Sequence, residues 1–230
     1  MSEYLIPAIM MSIIPSIVFY RIWRQWKQIE FIQTYNFPRG LYGKLKEKHP
    51  EFGAKEFQLV ARALRQFFLA HLRSGKKYVS MPSQVTDDLW HEFILYTRSY
   101  EQFCSKAFGR FMHHTPAVVL SPSKTDNEGL RRVWWYCCKD ENIDPKSATR
   151  LPLLFAIDKK LGIKNGFVYS ADCKRAHLSD SSGGVGGAAH CGGDFSDSSI
   201  DGGIDGFGDS GSSDSGGDGG SGCGGGCGGD

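Results

Sequence analysis

The composition of this chain breaks near residue 180, and the break decides where a core can form. Residues 180–230 hold 21 of the 29 glycines and nine aspartates, with no lysine or arginine. Such a segment cannot bury enough apolar surface to offset the entropy lost on ordering it. A disordered, acidic Gly/Ser/Asp-rich tail is expected over 180–230, ending in the thiol pair Cys223 and Cys227. With His190 and Cys191 upstream, that pair can chelate a soft metal or close a small disulfide; incidental cysteines on a solvated tail are the plainer reading. Any fold must come from the first 179 residues. These carry 27 basic and 16 acidic residues, about +11 net, against about −9 in the tail. The basic residues are scattered rather than striped, and no aromatic RNA-recognition strand is present, so nucleic acid is disfavoured as a partner.

The N-terminus sets a second limit. "YLIPAIMMSIIPSIVFY", residues 4–20, holds no charge. As a helix it spans about 26 Å, just short of a hydrocarbon core of about 30 Å. Ile22 and Trp23 extend it, Arg21 can snorkel, and Trp23 and Trp26 suit the interface. A transmembrane anchor is therefore expected over 4–23, kinked at Pro7 and Pro15. Its bulky end at Val18, Phe19 and Tyr20 argues against cleavage as a signal peptide. Arg21, Arg24 and Lys27 follow the span, which places the following domain in the cytoplasm. A buried amphipathic helix is the competing reading. The seven cysteines are an odd count, and in a reducing compartment they are thiols or metal ligands before they are bridges.

Between these limits, residues 28–179 read as one helical domain. Apolar residues recur at three and four over 54–75 (Phe57, Val60, Leu64, Phe67, Phe68), ending at Gly75. A longer helix is expected over 81–109, with a stripe of Val85, Leu89, Trp90, Phe93, Tyr100, Cys104 and Phe108. Shorter helices are expected over 40–50, 127–142 and 151–162, and "GFVYS" (166–170) is the one strand candidate. The fold class is mainly α, a compact bundle of about five helices after the N-terminal membrane helix.

"VARALRQFFLAHL", "MPSQVTDDLWHEFILYTRSYEQFCSKAFGRFMHHTP", "VWWYC", "RLPLLFAID" and "GFVYSADC" together resemble the glycine-rich domain-containing protein-like family, known from plants and with bacterial relatives. The likeness covers roughly residues 55–175, and the glycine-rich tail fits it. The resemblance implies links with stress and developmental responses and, for some plant members, RNA binding; it implies no settled activity or ligand set. Read as a bacterial relative, the chain is expected at the inner membrane with its domain facing the cytoplasm.

Two polar clusters stand out. Asp87, Asp88 and His91 share a helix face at spacings of three and four, so either carboxylate can orient the imidazole for metal binding or proton transfer. The competing reading is acidic residues suiting the helix N-terminus, beside a hydrogen-bonded histidine. Cys104, His113 and His114 gather near the exit of the 81–109 helix and supply soft or borderline ligands for zinc or another transition metal, short of the usual three or four unless His71, Cys137 or Cys138 joins them. On one straight helix His91 and Cys104 lie about 20 Å apart and on different faces, so they cannot share a metal. No phosphate-binding glycine loop with its lysine, nucleophile elbow or HExxH motif occurs. The function expected first is a membrane-tethered interaction or assembly module with an unidentified protein partner. A metal-dependent or acid/base enzyme using residues 87–114 is the alternative, and RNA binding a further one.

Overall fold

A computed structural model describes the chain over residues 5–114, 128–171 and 190–191, with side chains over 13–114 and 128–171. Among these residues it contains seven helices and a two-residue parallel strand pair. Helix α1 (Leu5–Thr34) leads into α2 (Gly40–Lys48) and α3 (Ala54–Arg73). After these come α4 (Gln84–Leu95), α5 (Thr97–Phe108), α6 (Glu128–Asp140) and α7 (Leu153–Leu161). Strand β1 (Tyr169–Ser170) pairs with β2 (His190–Cys191), which lies within the stretch expected as tail.

Helix α3 is the hub, packing against α1, α2, α4, α6 and α7. Its apolar spacing explains why: Val60, Leu64, Phe67 and Phe68 are fully buried, on a stripe wide enough to face several neighbours. Phe68, Trp90, Phe103 and Phe108 meet in edge and tilted contacts, so aromatic rings fill much of the core.

The N-terminal helix divides into two halves of different character. Its C-terminal half belongs to the bundle: Ile32 is buried, and Phe31 meets Phe103 on α5. Among the described residues no helix is long and apolar enough to cross a membrane. This corrects the transmembrane anchor expected over 4–23. The described side chains of α1 give an uncharged run only over 13–20 before Arg21, Arg24 and Lys27. Residues 4–12 of the expected span, like Cys223 and Cys227, lie outside the described side chains.

The expected helix over 81–109 is two helices. Tyr96 leaves helical geometry at φ −79° and ψ 58°, and α5 starts anew at Thr97. Neither glycine nor proline causes the break. The Tyr96 hydroxyl lies over Gly40 on α2, where a Cβ would collide with it. The corner is thus held by packing against another helix. At its far end α5 stops at Gly109, whose φ of +72° suits glycine and whose N–H bonds the carbonyls of Cys104 and Ser105.

Two carboxylates fasten the bundle at helix starts. Asp158 on α7 is buried at the start of α4, accepting from Ser83 Oγ (2.7 Å) and from the backbone N–H groups of Gln84 (2.7 Å), Val85 (3.2 Å) and Phe167 (2.9 Å). Glu141 accepts from Leu153 N–H (2.6 Å) at the start of α7 and from Gln66 Nε2 (3.0 Å), and pairs with Arg150. Burial pushes the Glu141 carboxyl up, but these three partners outweigh it and hold the group below its ordinary value.

His71 is buried near the end of α3, its Nδ1 3.0 Å from the Lys77 carbonyl, so that nitrogen carries the proton. Burial pushes its pKa down to about 4, further than the carbonyl bond raises it. With the folded value below the ordinary 6.5, protonation favours the unfolded chain. The stabilising effect of a neutral His71 is complete above pH 6.5 and is lost as pH falls towards 4. At about 1.4 kcal/mol per pH unit, the loss comes to roughly 3 kcal/mol over that window. Urea midpoints at pH 7 and pH 5 check this: the wild type should lose more than His71→Gln, and equal losses refute the assignment.

Candidate metal site

The corner at Tyr96 turns α5 back along α4, and the segment after Gly109 continues that return. Its course is fixed by a buried hydrogen-bond chain. Trp90 Nε1 donates to the Tyr100 hydroxyl (3.2 Å), which donates to the Met112 carbonyl (2.6 Å). Burial pushes the Tyr100 phenol well up, so it stays protonated and keeps that donor. Two residues beyond Met112, the His114 ring lies 4.5 Å from the Trp90 ring and 4.0 Å from the His91 ring, centre to centre.

The result is a three-residue cluster. One ligand atom each from Asp87, His91 and His114 lies within 4.8 Å of the others. Asp87 Oδ1 accepts from His114 Nε2 at 2.9 Å, and Asp87 Oδ2 lies 3.4 Å from His91 Nδ1. Two ligands about 2.1 Å from a zinc-sized ion, at octahedral or tetrahedral angles, lie about 3.0–3.4 Å apart, so an ion can replace the direct contacts with little movement. His91 Nδ1 also sits 2.9 Å from the Asp87 carbonyl, a bond that ring must release if that nitrogen is to ligate. Asp87 is buried, His114 largely so, and His91 is half-exposed, so the open side of the cluster faces solvent.

The cluster draws from both groups singled out in the sequence and leaves part of each behind. Asp88 points to α2, where its Oδ2 meets His49 Nε2 at 3.1 Å and its Oδ1 lies 3.9 Å from Lys48 Nζ. It ties α2 to α4 instead of joining Asp87. Cys104 is a buried free thiol bonded to Tyr100 and the Met112 backbone. Burial raises its pKa more than those bonds lower it, so it is not a ready thiolate ligand. His113 lies against Phe111 and takes no part in the cluster. Cys137 and Cys138 are buried in α6, both thiols raised, first of all by burial.

The sequence profile of the UCP032817-like family matches residues 27–195, well over half of the chain. The chain belongs to the UCP032817-like family. This overturns the resemblance to the glycine-rich domain-containing protein-like family. Most of the glycines behind that resemblance lie beyond residue 195, outside the matched region. No curated protein and no solved structure matches the chain. The UCP032817-like region begins at Lys27, inside α1, and contains Asp87, His91, His114 and the Asp158 cap.

Sequence reasoning about this UCP032817-like domain passed over His49, Asp158 and the Trp90–Tyr100–Met112 chain. His49 stands just before Pro50 after a basic helix, which gives no sign of its carboxylate partner 39 positions away. Trp90 and Tyr100 looked like core residues, and they are; their polar atoms are what connects the core to the site.

Proposed function

We propose that this UCP032817-like domain binds one divalent transition-metal ion through Asp87, His91 and His114. The observation that carries the reading is the convergence of those three ligand atoms within 4.8 Å around a buried carboxylate. Two imidazoles and one carboxylate suit zinc and ferrous iron, and three protein ligands leave coordination positions for water or a substrate. On the solvent side such an ion can act as a Lewis acid or lower the pKa of bound water. The Trp90 ring beside His114 limits how that imidazole turns, and the hydrogen-bond chain through Tyr100 fixes its backbone. Elemental analysis tests the reading on the 230-residue chain, exposed to zinc, iron or manganese and then desalted. About one equivalent of retained metal is expected, and metal-free, folded protein overturns the reading.

A second reading concerns location and partners: a domain tethered at a bacterial inner membrane and engaged in protein assembly there. It is favoured by the surface of α1, where Ile14, Ile17, Val18, Phe19, Ile22 and Trp23 are all at least half-exposed. At 100° per residue these positions cover about 240° of the helix, and a helix apolar over so broad a face suits lipid or a partner better than water. Trp23 and Trp26, followed by Lys27, are the residue types that anchor at a headgroup layer. The chain should sediment with the membrane fraction of a lysate in physiological salt, and recovery wholly in the supernatant sinks the tether.

A further inference from the structure

The segment that brings His114 to Asp87 presents its other residues to a separate cavity. It is an open cleft of about 390 Å³ between the end of α3 and the chain leaving α5, lined by Lys76, Tyr78, Arg110, Phe111 and His113 with His71 at its base. That volume falls in the range of small-ligand clefts, about 300–1,000 Å³.

Its charge is one-sided. Lys76 and Arg110 line it, and Arg24 on α1 adds a third cation, close enough that its guanidinium would touch a Cβ placed on Gly109 (3.1 Å). No carboxylate is among the described lining residues, and none of the three cations forms an ion pair with a described carboxylate. Arg110 donates instead to the Lys76 carbonyl. The arrangement is built into the backbone: Gly75 and Lys76 are consecutive left-handed residues, at φ +72° and +63°, in the turn that carries Lys76 past the end of α3. Its Nζ is disfavoured in the charged form first by burial and then by Arg24 and Arg110, as expected of cations crowded without a counter-ion. Tyr78 and Phe111, each about half-exposed, add apolar walls on which an organic group can rest.

We propose that this cleft binds a phosphate-bearing anion, with Lys76, Arg110 and Arg24 supplying the charge and Tyr78 and Phe111 the walls. Two cations lining one concave space, with Arg24 close by outside its lining, favour a multiply charged oxyanion over a carboxylate, and Arg110 can present two parallel N–H groups to it. The phosphate can belong to a soluble molecule or to a lipid headgroup. The second source fits Arg24, which lies one residue beyond Trp23 on the exposed part of α1.

The test uses the 230-residue chain treated with chelator, so that a metal held by Asp87, His91 and His114 contributes nothing. Calorimetric titration with inorganic phosphate is set beside flotation with phosphatidylcholine vesicles, with and without phosphatidic acid. Wild type, Lys76→Gln, Arg110→Gln and a remote control, Lys159→Gln, are compared. Saturable phosphate binding weakened about fivefold or more by Lys76→Gln but not by Lys159→Gln assigns the site to a soluble anion. Preference for phosphatidic acid, lost in Lys76→Gln but kept in Lys159→Gln, without binding of inorganic phosphate assigns it to a headgroup. Absence of both, or equal weakening by Lys159→Gln, overturns the proposal. Lys76→Gln decides the matter even if Arg110→Gln unfolds, because the Lys76 side chain makes no hydrogen bond or ion pair within the described structure.

Discussion

Asp158→Ala should destabilise the domain by about 4 kcal/mol or more, near the top of the range for single substitutions. The carboxylate is 2% exposed and accepts four hydrogen bonds, three of them from backbone N–H groups. Alanine leaves those donors facing a cavity that water cannot readily fill, at about 1–3 kcal/mol for each donor left unsatisfied. The neighbourhood has no slack for an alternative partner: a Cβ on Gly166 would already lie 2.6 Å from Asp158 Cβ. Asp158→Asn should fall between, since its amide keeps one acceptor oxygen but sets an NH2 against an N–H donor. Urea or thermal unfolding measures the series. A loss below about 1 kcal/mol for Asp158→Ala would show that the cap is incidental. With total stabilities of about 5–15 kcal/mol, the alanine variant should also lose much of its folded population on warming.

His114→Ala should lower metal affinity by more than about 100-fold, a larger loss than changes to outer-shell partners of a metal usually cause. Asp87→Asn should do the same, because the amide oxygen lacks the negative charge that draws a cation into a half-closed site. His113→Ala is the internal control. It removes an adjacent imidazole that contacts Phe111 and stands outside the cluster, so retained metal is expected. Metal content after desalting, together with circular dichroism to confirm folding, reads the outcome. Retention of metal by folded His114→Ala would refute the assignment, and loss in His113→Ala alone would move the site into the neighbouring cleft.

How much of this was legible in the sequence follows from which forces are local. The apolar spacing that marks α3 depends on residues three and four apart, and it located that helix within a residue or two. The same logic failed at Tyr96, because the stripe from Val85 to Phe108 continues across the break. What stops the helix there is the fit of Tyr96 against Gly40, a contact 56 positions distant that no periodicity records. The candidate site inherited that error. On one straight helix His114 could hardly reach Asp87, whereas the corner and the Tyr100–Met112 bond make it a direct neighbour. The i, i+4 pairing of Asp87 with His91 was legible. The competing attraction of His49 for Asp88 was not, since it depends on where α2 packs.

The unbroken course of α1 has a mechanical consequence. Leu5–Thr34 is a single helix about 45 Å long, and its last turns are part of the bundle wall. The helix runs on from its exposed N-terminal half into the packed C-terminal half, with Pro15 inside it as a point where it can bend. Whatever grips the residues after Pro15 therefore also sets the heading of the bundle. Under the tether proposed above, the helix would work as a mast, setting the domain's distance from the point of attachment and the direction in which its clefts open. Inserting two alanines at the exposed position of Trp26 would lengthen the mast by about 3 Å and rotate the domain by about 200° relative to its far end.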